Sequence, residues 1–155
     1  MKEIEISIKI RHYQLEELPE EERELVNTAI KATDNAYADY SHFYVGAALR
    51  LSDGTVVIGA NQENSGLCAE RTAIFAAQAN HPDKHITCLA IAARNDNGLL
   101  KSPITPCGAC RQVIVGVEDR YKKPIKIMLY GTDGVYCLES ARDLMPLSFI
   151  DDCMK

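Results

Sequence analysis

The chain has 155 residues and a mass of 17.2 kDa, the size of one domain with room for a continuous core. Hydrophobic residues make up 46% and charged residues 25%, a balance that excludes a disordered chain. Against 17 Lys and Arg stand 22 Asp and Glu, a net charge of −5. The positive surplus that displaces phosphate counterions is therefore missing, and nucleic acid is not an expected partner.

In chain order, residues 3–10 alternate strictly as Glu-Ile-Glu-Ile-Ser-Ile-Lys-Ile. The period of two predicts a strand with Ile4, Ile6, Ile8 and Ile10 on one face. Residues 1–17 thus read as an N-terminal extension with a short strand, ahead of a single domain over 18–155. Pro19 followed by Glu20, Glu21 and Glu22 reads as a helix start. Apolar positions at Leu25, Val26, Ala29, Ile30, Ala36 and Tyr37, with Thr33 on the same spacing, carry that helix to about Tyr40.

Runs 45–51 and 55–60 flank Ser52-Asp53-Gly54, a hairpin signal. The Ala-, Glu- and Gln-rich run 69–79 predicts a helix, and the short apolar run 87–93 a buried strand. Residues 107–118 follow Pro106 and suit a helix, but Val113-Ile114-Val115 is β-branched, so pattern alone leaves that segment open. Runs 125–130 and 135–138 flank a second turn, Gly131-Thr132-Asp133-Gly134, and 140–144 suits a short terminal helix. The alternation predicts an α/β fold, a mixed sheet with helices packed on its faces. No apolar run approaches the ~20 residues of a membrane span, and Met-Lys-Glu-Ile-Glu-Ile lacks the apolar stretch of a signal peptide. The expected location is cytoplasmic, with no membrane partner.

Six cysteines are present: Cys68, Cys88, Cys107, Cys110, Cys137 and Cys153. In a reducing compartment, clustered cysteines more often bind metal or do chemistry than form disulfides. Cys68-Ala69-Glu70 opens one predicted helix and Cys107-Gly108-Ala109-Cys110 another. Thiols at i and i+3 in a first helical turn point the same way, and the positive end of a helix favours thiolate. Two such starts side by side present three thiolates to one Zn2+ and leave its fourth position open, the mark of a catalytic site whose bound water has a pKa of roughly 7. Glu70 then stands close enough to act as general acid and base, the arrangement of the zinc deaminases. Arg71 is expected to face the sulfurs and offset their charge. Cys88 reads as a small buried hydrophobe, and Cys137, Cys153, His12, His42, His81 and His85 read as spectators.

Beyond these residues the sequence resembles the cytidine deaminase family of free nucleosides. The matching segments are Tyr40-Ser41-His42-Phe43-Tyr44-Val45-Gly46-Ala47-Ala48-Leu49, Gly59-Ala60-Asn61-Gln62-Glu63-Asn64, Cys68-Ala69-Glu70-Arg71-Thr72-Ala73, Pro106-Cys107-Gly108-Ala109-Cys110-Arg111-Gln112 and Leu144-Met145-Pro146-Leu147-Ser148-Phe149. The resemblance implies zinc-dependent hydrolytic deamination of cytidine and deoxycytidine to uridine and deoxyuridine, with release of ammonia, in pyrimidine salvage. It implies a five-stranded mixed sheet with helices on both faces, residues 107–118 as helix, one Zn2+ per subunit and a homotetramer.

By the same resemblance Cys68, Cys107 and Cys110 bind zinc and Glu70 shuttles protons to and from a substrate attacked by zinc-bound hydroxide. Asn61 and Glu63 hold the ribose hydroxyls, Ala69 and Phe43 contact the substrate, and Phe149 reaches a neighbouring subunit's site. Three departures stand out: the 64–68 segment is a few residues shorter than is usual, Asp39 stands where proline is common, and residues 1–17 extend past the usual start. Two other readings compete. A deaminase of another cytosine-containing compound, such as a nucleoside antibiotic, would keep the chemistry. A non-enzymatic zinc-stabilised binding module would need a fourth ligand from Cys137, Cys153 or a histidine.

Overall fold

The computed structural model describes all 155 residues. Ten regular elements follow one another: β1 (Arg11–Tyr13), α1 (Glu20–Ala32), β2 (Tyr44–Leu51), β3 (Val56–Ala60), α2 (Ala69–Asn80), β4 (Ile86–Asn95), β5 (Gly98–Leu99), α3 (Gly108–Tyr121), β6 (Lys126–Gly131) and β7 (Gly134–Leu138). They build one mixed sheet in the order β1-β7-β6-β4-β2-β3, with β5 folded back on the end of β4. The expected five strands are β7-β6-β4-β2-β3; β1 and β5 raise the count to seven. Only β4 and β6 run parallel, and the chain between them includes α3, since parallel neighbours need a crossover.

The period-two pattern splits the core in two. On one face Ala47, Leu49, Leu89, Ile91, Ile127 and Leu129 meet α2 and α3 through Ala73, Ile74, Ala77, Ile114 and Val115. On the other, Ala48, Ala90, Ala92 and Met128 meet α1 through Leu25, Val26 and Ala29. Residues 45–49 and 88–93 are thus buried on both sides, which is why they read as continuous apolar runs. Two glycines permit close approach of helix to sheet. A Cβ on Gly46 would lie 2.1 Å from the Ala29 carbonyl oxygen, and one on Gly59 2.4 Å from that of Ala69. Gly59 thereby seats the first turn of α2 directly on β3.

Two expectations differ from the structure. The strand over 3–10 does not form: the only strand there is Arg11–Tyr13, paired with Val135–Cys137 of β7. β7 ends at Leu138, so residues 1–10 run past their template and Ile4, Ile6, Ile8 and Ile10 stay exposed. The first helix ends at Ala32, followed by a single 3-10 turn over Thr33–Asn35, well short of Tyr40. The Thr33 hydroxyl donates to the Ile30 carbonyl (2.6 Å) and accepts from Arg94 Nε (3.1 Å). Side chains of this type, followed by Asp34 and Asn35, offer the backbone alternatives to helix. The ambiguous 107–118 run is helical, because Ile114 and Val115 are buried against the sheet and tertiary packing outweighs β-branched propensity.

Candidate active site

The site grows from two helix starts. Cys68 is the N-cap of α2 and Cys107 that of α3, both in extended backbone conformation, and Cys110 follows in the first turn of α3. The three sulfurs lie within 4.8 Å of one another, with Cys68 Sγ 3.7 Å from Cys107 Sγ. All six cysteines are free thiols. No histidine and no fourth cysteine joins the group; Cys137 and Cys88 are buried in the core on the α1 face and Cys153 is exposed. Neither a disulfide pair nor a closed four-ligand site describes this cluster.

The thiols are not equivalent. The Cys107 thiol is held below its ordinary pKa, chiefly by the main-chain amide of Cys110 and then by the neighbouring Cys110 and Cys68 thiols. Cys110 is buried, and burial first and the Glu70 carboxylate second push its thiol up. Three sulfur donors within mutual reach, two of them at the positive ends of helices, fit a thiophilic divalent ion, which would draw the proton from the third.

Glu70 is 3% exposed. Its one side-chain hydrogen bond comes from Cys110 Sγ, which donates to Oε2 over 3.6 Å. Burial raises its pKa above the ordinary carboxylate value. Arg71 Nη2 donates to the Gly66 carbonyl (3.0 Å) and lies 3.6 Å from Cys68 Sγ, while its Nε has no partner. The sulfur of Cys68 first, then that of Cys110, holds the guanidinium in its charged form. Arg71 thus lies against the Cys68 sulfur.

A cavity of about 240 Å3 opens beside these groups, walled by Phe43, Asn61, Cys68, Ala69, Glu70 and Cys107 together with Val45, Ile104 and Thr105. Asn61 Oδ1 accepts from the Val45 amide (2.8 Å) and Nδ2 donates to the Phe43 carbonyl (3.0 Å), so this one side chain fixes the wall strand. A second cavity of about 490 Å3 shares Asn61 and Cys68 and is lined further by Tyr40, Gln62, Glu63 and Leu67. Glu63 accepts from the amides of Tyr40 (2.7 Å) and Ser41 (3.0 Å) and from the Ser41 hydroxyl. The Ser41 hydroxyl foremost, then these amides, holds its pKa down, so it is a carboxylate.

The short 64–68 segment closes as a turn. The Gln62 amide donates to the Leu67 carbonyl (3.1 Å), and Asn64 and Gly66 both take positive φ. Phe149 is not brought to the cavity; it is 60% exposed, and its carbonyl accepts from Gln112 Nε2 at 2.9 Å. Ile104 and Thr105 were missed by sequence reasoning. Their signal is position alone, since they immediately precede Pro106-Cys107 and share the approach to α3.

Residues 19–123 match the family model described as the cytidine and deoxycytidylate deaminase zinc-binding region. The chain belongs to this family. A cytidine deaminase of Halalkalibacterium halodurans is 47% identical over 94 residues, which are 58% of this chain and 67% of that protein. One of Sporosarcina psychrophila is 45% identical over 58% of this chain and 65% of its own. The chain thus spans about two thirds of the length of these relatives. Among solved structures, cytidine deaminase from Burkholderia pseudomallei superposes with a TM-score of 0.69 at 38% identity, covering 81% of this chain and 97% of that one. The family member described here carries a three-cysteine cluster compatible with zinc, and no helix is long and apolar enough to cross a membrane.

Proposed function

We propose that this family member is a zinc-dependent hydrolase that converts cytidine and deoxycytidine to uridine and deoxyuridine, consuming water and releasing ammonia. The observation that carries the reading is Glu70: a buried carboxylate on the wall of a cavity, beside three thiols, with a single weak polar partner. A carboxylate left this poorly satisfied costs stability, and groups of this kind cluster at functional sites.

Cys68, Cys107 and Cys110 would hold one zinc ion per subunit, which when bound supplies a Lewis acid that makes water nucleophilic near neutral pH. Glu70 takes the proton from the attacking water and delivers it to N3 of the pyrimidine, then carries the proton of the new C4 hydroxyl to the departing amine as the C4–N bond breaks and the C4 carbonyl forms. Burial raises its proton affinity, so it is poised to hold and release that proton. Arg71 offsets the thiolate charge. Phe43 and Ala69 border the flat base, and Asn61 keeps Phe43 in position.

Asn61 borders both cavities and Glu63 the larger one, and a ribose lying there would offer its hydroxyls to both side chains. Glu63 as a carboxylate repels a 5′-phosphate, which favours a nucleoside over a nucleotide. Phe149, exposed and away from its own cavity, suits contact with a neighbouring subunit's site, as a homotetramer requires. A cytoplasmic salvage role fits these assignments.

The test is the loss of cytidine absorbance on incubation with zinc-loaded protein, against a chelator-stripped control and against free cytosine. Zinc-dependent turnover of cytidine far faster than of cytosine is expected. No turnover by the zinc-loaded protein would overturn the reading, and equal rates on both substrates would remove the ribose roles of Asn61 and Glu63.

A further inference from the structure

Residues 1–10 make no main-chain hydrogen bond. They lead directly into β1, the outermost strand of the sheet. Ile4, Ile6, Ile8 and Ile10 are 83%, 53%, 42% and 52% exposed. An unpaired extended edge carrying a period-two apolar face is a template for another strand. Neither Glu5 nor Lys9 has an ion-pair partner in the chain.

The segment is self-complementary when turned end for end. An antiparallel pairing with a second copy, with the two-fold axis through Ser7, sets Ile6 opposite Ile8, Ile4 opposite Ile10 and Glu5 opposite Lys9. Moving the axis to Ile6 sets Ile10 against Lys2, moving it to Ile8 sets Ile4 against His12, and a one-residue slip sets isoleucines against charges. The Ser7 register alone matches all four isoleucines to isoleucines and both unpaired charges to their opposites. Ile6 borders a cavity of about 300 Å3 with Met145, Leu147 and Ile150, whereas Ser7, Lys9 and Arg11 border another with Glu139 and Asp143. Ile6 and the Ser7–Lys9–Arg11 row therefore border different cavities.

We propose that residues 3–11 are an interaction strand for a second copy of this chain, pairing antiparallel about Ser7 in an isologous contact. This interface is separate from the catalytic cavity, and its test does not depend on the proposed activity.

Ser7→Cys puts two thiols on the two-fold axis, where directly opposite Cα atoms are about 4.5–5.5 Å apart, within disulfide reach. Glu3→Cys is the control, because in this register its two copies are roughly 27 Å apart. Mild oxidation of the full chain is followed by non-reducing electrophoresis and by mass spectrometry of the 7–7 linked peptide, which separates it from links through Cys107 or Cys153. Expected are a 7–7 dimer from Ser7→Cys and no 3–3 dimer from Glu3→Cys. Adding Lys9→Glu to Ser7→Cys sets like charges opposite each other twice and cuts the linked fraction on the order of ten-fold, and adding Glu5→Lys restores it. Equal linking at positions 3 and 7, no 7–7 link, insensitivity to Lys9→Glu, or failure of the charge swap to restore it each overturns the proposal.

Discussion

Two glutamates are buried in the helices on one face of the sheet, and they are opposites in every other respect. Glu118, 6% exposed on α3, accepts from the amides of Ile125 and Ala141, each at 2.8 Å, and from the Ser140 hydroxyl at 2.5 Å. It ties α3 to the start of β6 and to the turn after β7. Glu70, 3% exposed on α2, receives only a thiol at 3.6 Å and borders a cavity. Burial alone does not identify a working carboxylate; its unused hydrogen-bonding capacity does. Glu118 spends both oxygens on holding the fold, and Glu70 leaves all but one weak thiol contact of its capacity unused.

The sharpest way to break this contrast is to make the same substitution at both positions. Glu70→Gln removes the proposed proton carrier while preserving shape, so turnover is expected to fall on the order of 10^3-fold, with metal content and melting temperature close to those of the parent. A wild-type-like rate in a steady-state assay would refute the assignment. Cys107→Ser comes next: it leaves Glu70 buried but takes away one of three sulfur donors, so zinc is lost on dialysis and metal analysis reads far below one ion per chain. Glu118→Gln is the mirror case. Losing charge-assisted acceptance costs about 2 kcal/mol, a fall of roughly 5 °C in melting temperature, while turnover per folded molecule is retained. Were Glu118→Gln to abolish turnover without lowering stability, the division between the two carboxylates would fail.

Asn61→Ala tests the cavity wall between these extremes. It frees the Phe43 carbonyl and the Val45 amide, two hydrogen bonds of about 1 kcal/mol each. The value of kcat/KM for cytidine falls roughly ten-fold, mostly through KM, because base and sugar lose a fixed wall rather than a proton donor.

The sequence made the cluster legible because the chemistry is local. Cys68 and Glu70 belong to one helical turn and Cys107 and Cys110 to another, so type and spacing suffice. The hairpin over 44–60 was equally plain, since Asp53-Gly54 sits between two strands of matching pattern. What sequence left open depends on distant partners. Nothing near Glu118 in sequence announces that the amides of Ile125 and Ala141 will converge on it. The end of α1 was misplaced because Arg94, far along the chain, takes up the Thr33 hydroxyl. Residues 3–10 carry a strand pattern without a strand beside them, which is a statement about a missing neighbour and not about propensity.

Asp119, next to Glu118 and 7% exposed, gives the smallest and most selective test. Its carboxylate accepts from Lys122 Nζ (2.8 Å), from the Asp151 amide (3.3 Å) and from Arg142 Nη2 (3.4 Å). The Lys122 hydrogen bond foremost, with the Asp151 amide next, holds its pKa below the ordinary 3.8. A depressed folded value means that this carboxylate stabilises the native state fully above the unfolded pKa, and that the contribution disappears as pH falls through the lower folded value. The stability difference between the parent and Asp119→Asn is therefore constant from neutral pH down to about 5 and shrinks only below the ordinary aspartate pKa. Asp119 fastens the C-terminal segment that carries Phe149, and it lies outside the cavity. Asp119→Asn should accordingly leave the pH profile of kcat in place while changing the acid limb of unfolding. A shifted kcat profile would mean that proton traffic at the site extends along α3 beyond Glu70.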